Sequence, residues 1–558
     1  MLPIIEKEVA RMKHKKWLGM LLAFSLVLSA CGGGKDASSH TGSTAGSAAS
    51  GDLNVIKETD LLSMDSSLAT DGTSFEVLAA VEEGLYVLDA KGAEKPALAE
   101  SVDISDDELT YTFHLRDAKW SNGDPVTAND FVFAWRRLVD PDTASDYNYI
   151  MEVAGVVNAG PIMKGEKPLE ELGVKAVDEK TLEVTLEHKV PFFLKLLSFG
   201  SFLPINQKFV EEKGDQYAQS PENLLYNGPF RMTEWVAGNS FKAVKNESYW
   251  DAANVKLNSI NWKVSKDPQT SALEFDTGAS DFVRLTGDVV GRYSGDERMQ
   301  QALGGYLWYL VGNHEAVPEL NNVNLAKAIA NAFDREELAN VILKDGAIGA
   351  YGFVPKELAF SPSGKDFREE NGNDFFNEGA EAAKAYAEKA FQELGIKNLS
   401  LELLFEDSEE SKKVAEFLQE QIQKNIPNLT ITLKSQPKKA RLQLQQDGDF
   451  QLALHRWGPD YPDPMTYLDL FVTDSSSNYN RVTIPGYDEM IAKASSGTLS
   501  DEERWQVLLD AEKLLLKDAQ GPIPVYQIGN STMWNPAVTG WEYHTTGVSY
   551  YYKNAVKQ

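Results

Sequence analysis

The chain carries one cysteine, Cys31, in 558 residues. No internal disulfide framework can form, so packing, hydrogen bonds and ion pairs must hold the fold. Basic residues are few: 54 Lys and Arg stand against 83 Asp and Glu, a formal net charge of −29. That balance argues against nucleic acid as a partner, because phosphate binding needs a surplus of Lys and Arg. It suits a well-solvated surface and can attract cationic ligands. The seven His, at 14, 40, 114, 188, 314, 455 and 544, form no H-x-x-x-H pair, the spacing a zinc protease uses. There is no G-x-x-x-x-G-K-[ST] phosphate loop and no G-x-S-x-G nucleophile elbow. No metal and no cofactor are expected. Beyond the N-terminus, no apolar run is long enough to span a membrane.

What is present begins at that N-terminus. Arg11, Lys13, Lys15 and Lys16 precede the apolar stretch Trp17–Ala30. The stretch is short for a permanent span and fits a secretory signal. Met12 is an alternative start, because Met1–Arg11 adds nothing to this pattern. Residues 1–30 are therefore read as a signal peptide. Leu28-Ser29-Ala30-Cys31 resembles the lipobox of bacterial lipoproteins. The resemblance implies that Cys31 carries diacylglycerol and holds the protein on the outer face of the cell membrane. Gly32–Gly51, rich in Gly, Ser, Ala and Thr, reads as a flexible tether. This style of anchor leans towards a Gram-positive surface.

From residue 52 the chain reads as a folded body. Leu109–Leu115 alternates Leu109, Tyr111, Phe113 and Leu115 with polar residues, a half-buried strand. Thr127 to Asp130 has the form of a helix start, and Phe131–Val139 continues it. Val174–Val177 and Thr181–Leu186 read as a hairpin. Asn324–Leu343 has the apolar spacing of one amphipathic helix. Glu378–Leu394, Ser408–Ile426 and Asp501–Ala519 are further helices, alternating with strands at Leu399–Leu404, Thr430–Lys434, Phe450–Leu454 and Ile523–Gln527. The first half is thus strand and turn, and the second half is layered α/β.

Asp449–Asp469 stands apart. An apolar strand runs into Trp457-Gly458-Pro459-Asp460-Tyr461-Pro462-Asp463-Pro464, whose three prolines forbid helix and central strand alike. The stiff loop either presents Trp457, Asp460 and Asp463 to a ligand or is a solvated surface turn. Asp460 and Asp463 are also the best candidate pair for carboxylate catalysis, as in a secreted hydrolase.

Several stretches together resemble one family: Thr112–Gly123 (TFHLRDAKWSNG), Pro125–Val132, Val139–Ser145 (VDPDTAS), Leu172–Asp178, Asn227-Gly228-Pro229-Phe230, Ala328–Arg335 and the proline loop. They resemble the oligopeptide-binding proteins of bacterial ABC importers, among the extracellular solute-binding proteins of family 5, from about residue 53 to 558. The resemblance implies an α/β, periplasmic-binding-protein-like fold (class II, cluster C) of two lobes with an additional small domain. Residues 52–83, 207–305 and 525–558 would form the first lobe, 84–206 the additional domain and 306–524 the second lobe. It implies lobes that close over an extended oligopeptide, no enzymatic step, a monomer, and delivery to permease subunits. Asp460 matches the acid that pairs with the peptide α-ammonium. Trp457 matches a pocket-lining Trp. Arg456 and Gly458 match positions whose backbone pairs with the peptide, with Thr70 and Gly72 opposite. Tyr147 and Tyr309 match pocket aromatics. The chain departs from the pattern at Leu454, where an Arg is available to the peptide carboxylate, and at Lys438, where a pocket Trp stands. Arg456 or Lys438 could substitute. Dipeptides, signalling peptides or a nickel chelate are alternative ligands of the same scaffold; Asp460 favours a free amine over a chelate.

Overall fold

The structure, a computed structural model, describes residues 51–89, 92–473 and 475–558. The signal segment, Cys31 and the tether up to residue 50 lie outside the described residues. Among the described residues no helix is long and apolar enough to cross a membrane.

One 11-stranded sheet runs through the whole body. At one end the strands Leu429–Gln436, Leu399–Glu406 and Leu452–Trp457 lie parallel. The helices Val323–Asn331, Gly379–Leu394 and Glu409–Asn425 pack with them around Leu401, Leu403, Ile431, Leu452 and Leu454. At the other end Phe282–Leu285, Asp52–Lys57, Ser259–Val264, Ser240–Lys245 and Phe230–Val236 follow one another. Two long antiparallel strands, Met299–Gly312 and Ile523–Trp534, belong to both ends and join them. Their ladder breaks between Leu303↔Gly529 and Leu307↔Gln527, where Gly304, Gly305 and Tyr306 bulge out of register. A bulge of this kind bends the strand and weakens the local ladder. Gly305 is required here: a Cβ would lie 2.1 Å from the Thr545 carbonyl oxygen and 2.7 Å from the Pro459 ring. This strand pair links the two ends of the sheet.

A separate four-stranded antiparallel sheet holds Ala99–Ile104, Thr110–Leu115, Thr181–Thr185 and Val174–Asp178. Tyr111, Phe113 and Leu115 face its core, as their alternation predicts. The helix Ala128–Val139 packs on it, started by a capping box in which Asp130 accepts from the Thr127 amide at 2.8 Å. Asp130 also accepts from the Trp120 indole at 3.2 Å. In Asn227-Gly228-Pro229-Phe230, the Asn227 amide makes two bonds with the Glu83 backbone, at 2.9 and 3.0 Å. A Cβ on Gly228 would collide with the Val81–Glu82 backbone at 2.6 Å.

The helix expected over 324–343 is interrupted. It ends with Asn331, restarts as Arg335–Glu337, and widens into a π-turn over Leu338–Leu343. Asp334 caps the restart, accepting the Glu336 and Glu337 amides at 2.9 Å each. The buried Arg335 guanidinium binds the carbonyls of Ala330, Ala350 and Pro524. Helix Lys438–Asp447 was not anticipated, because KKARLQLQQD has no apolar stripe to reveal it.

Candidate functional site

The proline loop follows the strand Leu452–Trp457, with Gly305 of the long strand pair against Pro459 and Phe192 against Tyr461. Asp463 is spoken for: Arg504 donates two hydrogen bonds to it, at 2.8 Å each, and the Met465 amide a third at 3.0 Å. This bidentate pair fixes the loop from behind. The loop also stacks Tyr461 on Phe192, with centroids 4.6 Å apart and planes 9° from parallel.

Asp460 is in the opposite condition. Its amide donates to Thr466 Oγ1 at 3.2 Å, and its carboxylate accepts from Tyr149 Oη at 2.8 Å and from Tyr147 Oη at 3.5 Å. Among the described residues it has no ion-pair partner. Burial pushes its carboxyl up to about 6, against the two tyrosine hydroxyls that pull it down. Asp469 behind it is pushed up to about 7, by burial first and then by the charge of Asp460.

The two tyrosines reach Asp460 because of the turn before them. Asp140 caps the Asp142 amide at 3.0 Å, Pro141 sets the first turn, and Ala144 closes it in the left-handed region at φ 51°. Ser145 Oγ then accepts the Tyr147 amide at 3.2 Å. Tyr147 is held edge-on by Phe75, at 5.6 Å and 88°, and stacks near Tyr149 at 5.8 Å. So the VDPDTAS stretch delivers a pair of hydroxyls to the carboxylate.

Beside the loop, the strand Leu452–Trp457 has one free edge. It pairs with Met299–Gly312 along its length, but its other ladder ends at Leu404↔Ala453. From Leu454 onwards that second edge has no strand partner among the described residues. Arg456, Trp457 and Gly458 lie on this stretch or just past it. A Cβ on Gly458 would sit 2.4 Å from the Tyr306 ring, which would have to move aside. Arg456 lies over Tyr306 at 5.6 Å and Trp308 at 5.2 Å. Burial pushes the Tyr306 hydroxyl up, and the charges that bear on it are Arg456, Asp460 and Asp71. Thr70 and Gly72 are exposed on either side of Asp71, whose charge bears on Tyr306. Asp71 itself caps the helix Gly72–Val81, accepting from the Ser74 amide at 3.0 Å. The segment is pinned by Asp65, which takes two bonds from Arg137 at 2.7 Å each.

Of the residues marked in the sequence, Asp460, Tyr147, Trp457, Arg456 and Gly458 are gathered here, and Thr70 and Gly72 enter only through Asp71 between them. Tyr309 is not: at 1 % exposure it packs behind the strand against Phe353, His455 and Phe471. Its neighbour Tyr306, on the bulge, takes the exposed place. Tyr306, Tyr149 and Asp469 were missed. The repeat Tyr147-Asn148-Tyr149 was the available signal for Tyr149; the bulge that exposes Tyr306 left none.

A second group of charges lies along the free edge. Glu406 ends its strand 3.6 Å from Arg441 and 3.9 Å from Arg456. Arg441, 1 % exposed, also contacts Gln445 and His455 Nδ1, the latter at 2.9 Å. Burial holds His455 well below its ordinary range, with Arg441, Arg456 and Lys438 adding to it, so the ring is neutral.

Residues 94–479 match the family described as bacterial extracellular solute-binding proteins, family 5 Middle. The dipeptide-binding protein of Lactococcus lactis is 35% identical over 89% of this chain and 92% of its own. The crystal structure of an oligopeptide ABC transporter substrate-binding domain from Bacillus anthracis superposes with a TM-score of 0.79 at 41% identity, covering 92% of this chain and 99% of that one. OppA of Listeria monocytogenes bound to peptide gives 0.78 at 36%, covering 91% and 99%. With two lobes on one sheet, a carboxylate that no described cation pairs and this extent of likeness, the chain belongs to the bacterial extracellular solute-binding proteins of family 5.

Proposed function

We propose that this protein is a lipid-anchored extracytoplasmic receptor that captures oligopeptides in extended form between its lobes and delivers them to an ABC permease. The observation that carries the reading is Asp460: a carboxylate with no ion-pair partner among the described residues, lying beside a strand edge that no described strand pairs. A peptide supplies what both lack. Its α-ammonium pairs with Asp460, a charge-assisted contact in a half-buried place. Its backbone adds to the edge of Leu454–Gly458, giving affinity indifferent to side chains. Thr70 and Gly72 offer backbone from the other lobe, and Trp457 and Tyr147 flank the amine. The proposed divisions are those of the sequence reading, with the hinge at the bulge 304–306 and its partner 527–529. The strand Ile523–Trp534 runs on past residue 524, so the second crossing lies within it.

Cys31 would carry the anchor and residues 32–51 the tether. The relatives named for dipeptides and oligopeptides support a peptide ligand, and the engagement of Asp463 by Arg504 supports capture rather than two-carboxylate hydrolysis. Titration calorimetry with a tetrapeptide and its N-acetylated form tests the reading. Binding of the free peptide and a large loss on acetylation are expected; equal affinity for the two overturns the role of Asp460.

A further inference from the structure

Two short helical turns line one pocket behind the proline loop. Tyr149, Glu152 and Val153 share a face of the turn Ile150–Val153 and its cap, at helical spacing. Met465 and Asp469 share a face where the turn Met465–Leu468 runs into Asp469–Phe471. Val190, Pro191 and Phe192 add apolar wall. Ala494 and Arg504 come from the helices Tyr487–Ser495 and Asp501–Leu516. The turn between these helices presses on the wall, for a Cβ on Gly497 would lie 2.7 Å from that of Lys189. The pocket holds about 300 Å³, the small end of the range for organic ligands. Tyr149, whose hydroxyl reaches Asp460, lines it; Asp460, Trp457, Arg456 and Gly458 do not.

The wall carries an acid without a cation. Arg504 gives both terminal nitrogens to Asp463, at 2.8 Å each, and its Nε to the Ala494 carbonyl at 3.0 Å, so this guanidinium is fully engaged. Lys189, also in the wall, pairs with Glu108 at 3.2 Å. Asp469 has the Tyr461 hydroxyl, at 3.4 Å, and its own amide. Among the described residues no ion pair reaches it, and none reaches the exposed Glu152. A carboxylate desolvated in this way bears a cost that nothing offsets. Burial, and then the charge of Asp460, accordingly push Asp469 up to about 7. A cation entering the pocket relieves both. The rings of Tyr461 and Phe192, stacked at 4.6 Å, are of the kind that attract ammonium groups. An anion would meet Asp469 and Glu152 instead. A bare metal ion would lack oxygen ligands, since no group of three His, Cys, Asp or Glu among the described residues could hold one.

We propose that this pocket is a second binding site, for a small organic ammonium ion with an apolar or aromatic tail. Asp469 pairs with the ammonium, and the tail lies among Val153, Val190, Pro191 and Met465. The site is independent of the peptide reading, which concerns Asp460 and the strand edge.

Titration calorimetry with phenethylammonium and hexylammonium chloride tests it, with phenethyl alcohol and hydrocinnamate as neutral and anionic controls. The proteins are the wild type, Asp469→Asn, Val153→Trp and Asp460→Asn, the last because an ammonium is also what the peptide site takes. The wild type should bind at least one amine saturably and one to one. That affinity should exceed the affinity for the alcohol about ten-fold or more, the scale of a charge-assisted bond, and hydrocinnamate should not bind. Affinity for the amine should fall about ten-fold or more in Asp469→Asn. It should be lost in Val153→Trp, whose indole fills the pocket, and persist in Asp460→Asn. Should the Trp variant not fold, Asp469→Asn decides by itself. No saturable binding of either amine, equal binding of the alcohol, an affinity unchanged in Asp469→Asn, or one lost in Asp460→Asn overturns the second site. Tetrapeptide binding, measured separately, is untouched by any of these outcomes.

Discussion

Tyr149 Oη donates to Asp460 Oδ2 at 2.8 Å, across 311 positions of sequence. A hydroxyl therefore holds the carboxylate ionised enough to meet an ammonium, yet supplies no charge of its own to neutralise it. Replacing Asp460 by Asn keeps the shape and removes the charge. Peptide affinity should fall by about 2–5 kcal/mol, roughly 30-fold or more in Kd, as when one member of a buried charge pair is lost. Calorimetry on a folded Asp460→Asn variant checks this.

Binding should depend on pH from both sides. Asp460 titrates at about 6, so below that value a proton must leave before the amine can pair. A peptide α-amino group loses its charge above about 8. Affinity should therefore be highest between these limits and decline by up to about ten-fold per pH unit below 6. In Tyr149→Phe the hydrogen bond that lowers the Asp460 value is gone, and the acid edge should move to higher pH. In Asp460→Asn the acid edge should vanish.

Asp469 makes the unliganded fold sensitive to pH. Its carboxyl is pushed up to about 7 in the native state, against about 3.9 in an unfolded chain. Between those values the native state holds the extra proton, so stability falls as pH rises through the window. The penalty is absent below about 4 and complete above about 7. Asp469→Asn should be the more stable protein at pH 8, by on the order of 1–4 kcal/mol, and equal to the wild type near pH 4. Urea unfolding of both proteins at the two pH values measures the difference.

Away from the cleft, Glu512 is fully buried and serves many donors. Arg368 pairs with it, the Phe353 and Val354 amides donate to it at 2.8 Å each, and Asn371 adds another bond. Glu512→Ala strands a buried guanidinium and two amides. A loss of about 3–5 kcal/mol is expected, read from the urea midpoint. The double change with Arg368→Met should recover part of it.

Periodicity was enough to read the long helices and the strand alternation, because each element buries one face. The strand Thr110–Leu115 and the helix Ala128–Val139 fall where their patterns place them. Residues whose roles depend on distant partners were harder. Asp460 and Asp463 look alike in sequence, and only Arg504, 41 positions away, separates them. Tyr309 and Tyr306 exchange places because a bulge shifts the register, which no alternation pattern records. The break near Asp334 goes with a buried Arg335 that binds the Ala330 carbonyl of the preceding helix. The strand expected to stop at Leu454 runs to Trp457, since pairing with Leu307–Tyr309 outweighs the polarity of His455 and Arg456.

Tyr467 closes a short circuit between sensing and movement. Its hydroxyl lies 2.5 Å from the carbonyl of Gly305, at the bulge of the long strand pair, and 3.0 Å from the carbonyl of Trp457, beside the proline loop. Pro459 presses on the same Gly305. The bulge and the proline loop are thus tied through one side chain, so that under the proposed lobe closure a displacement of the loop would be passed on to the strand pair.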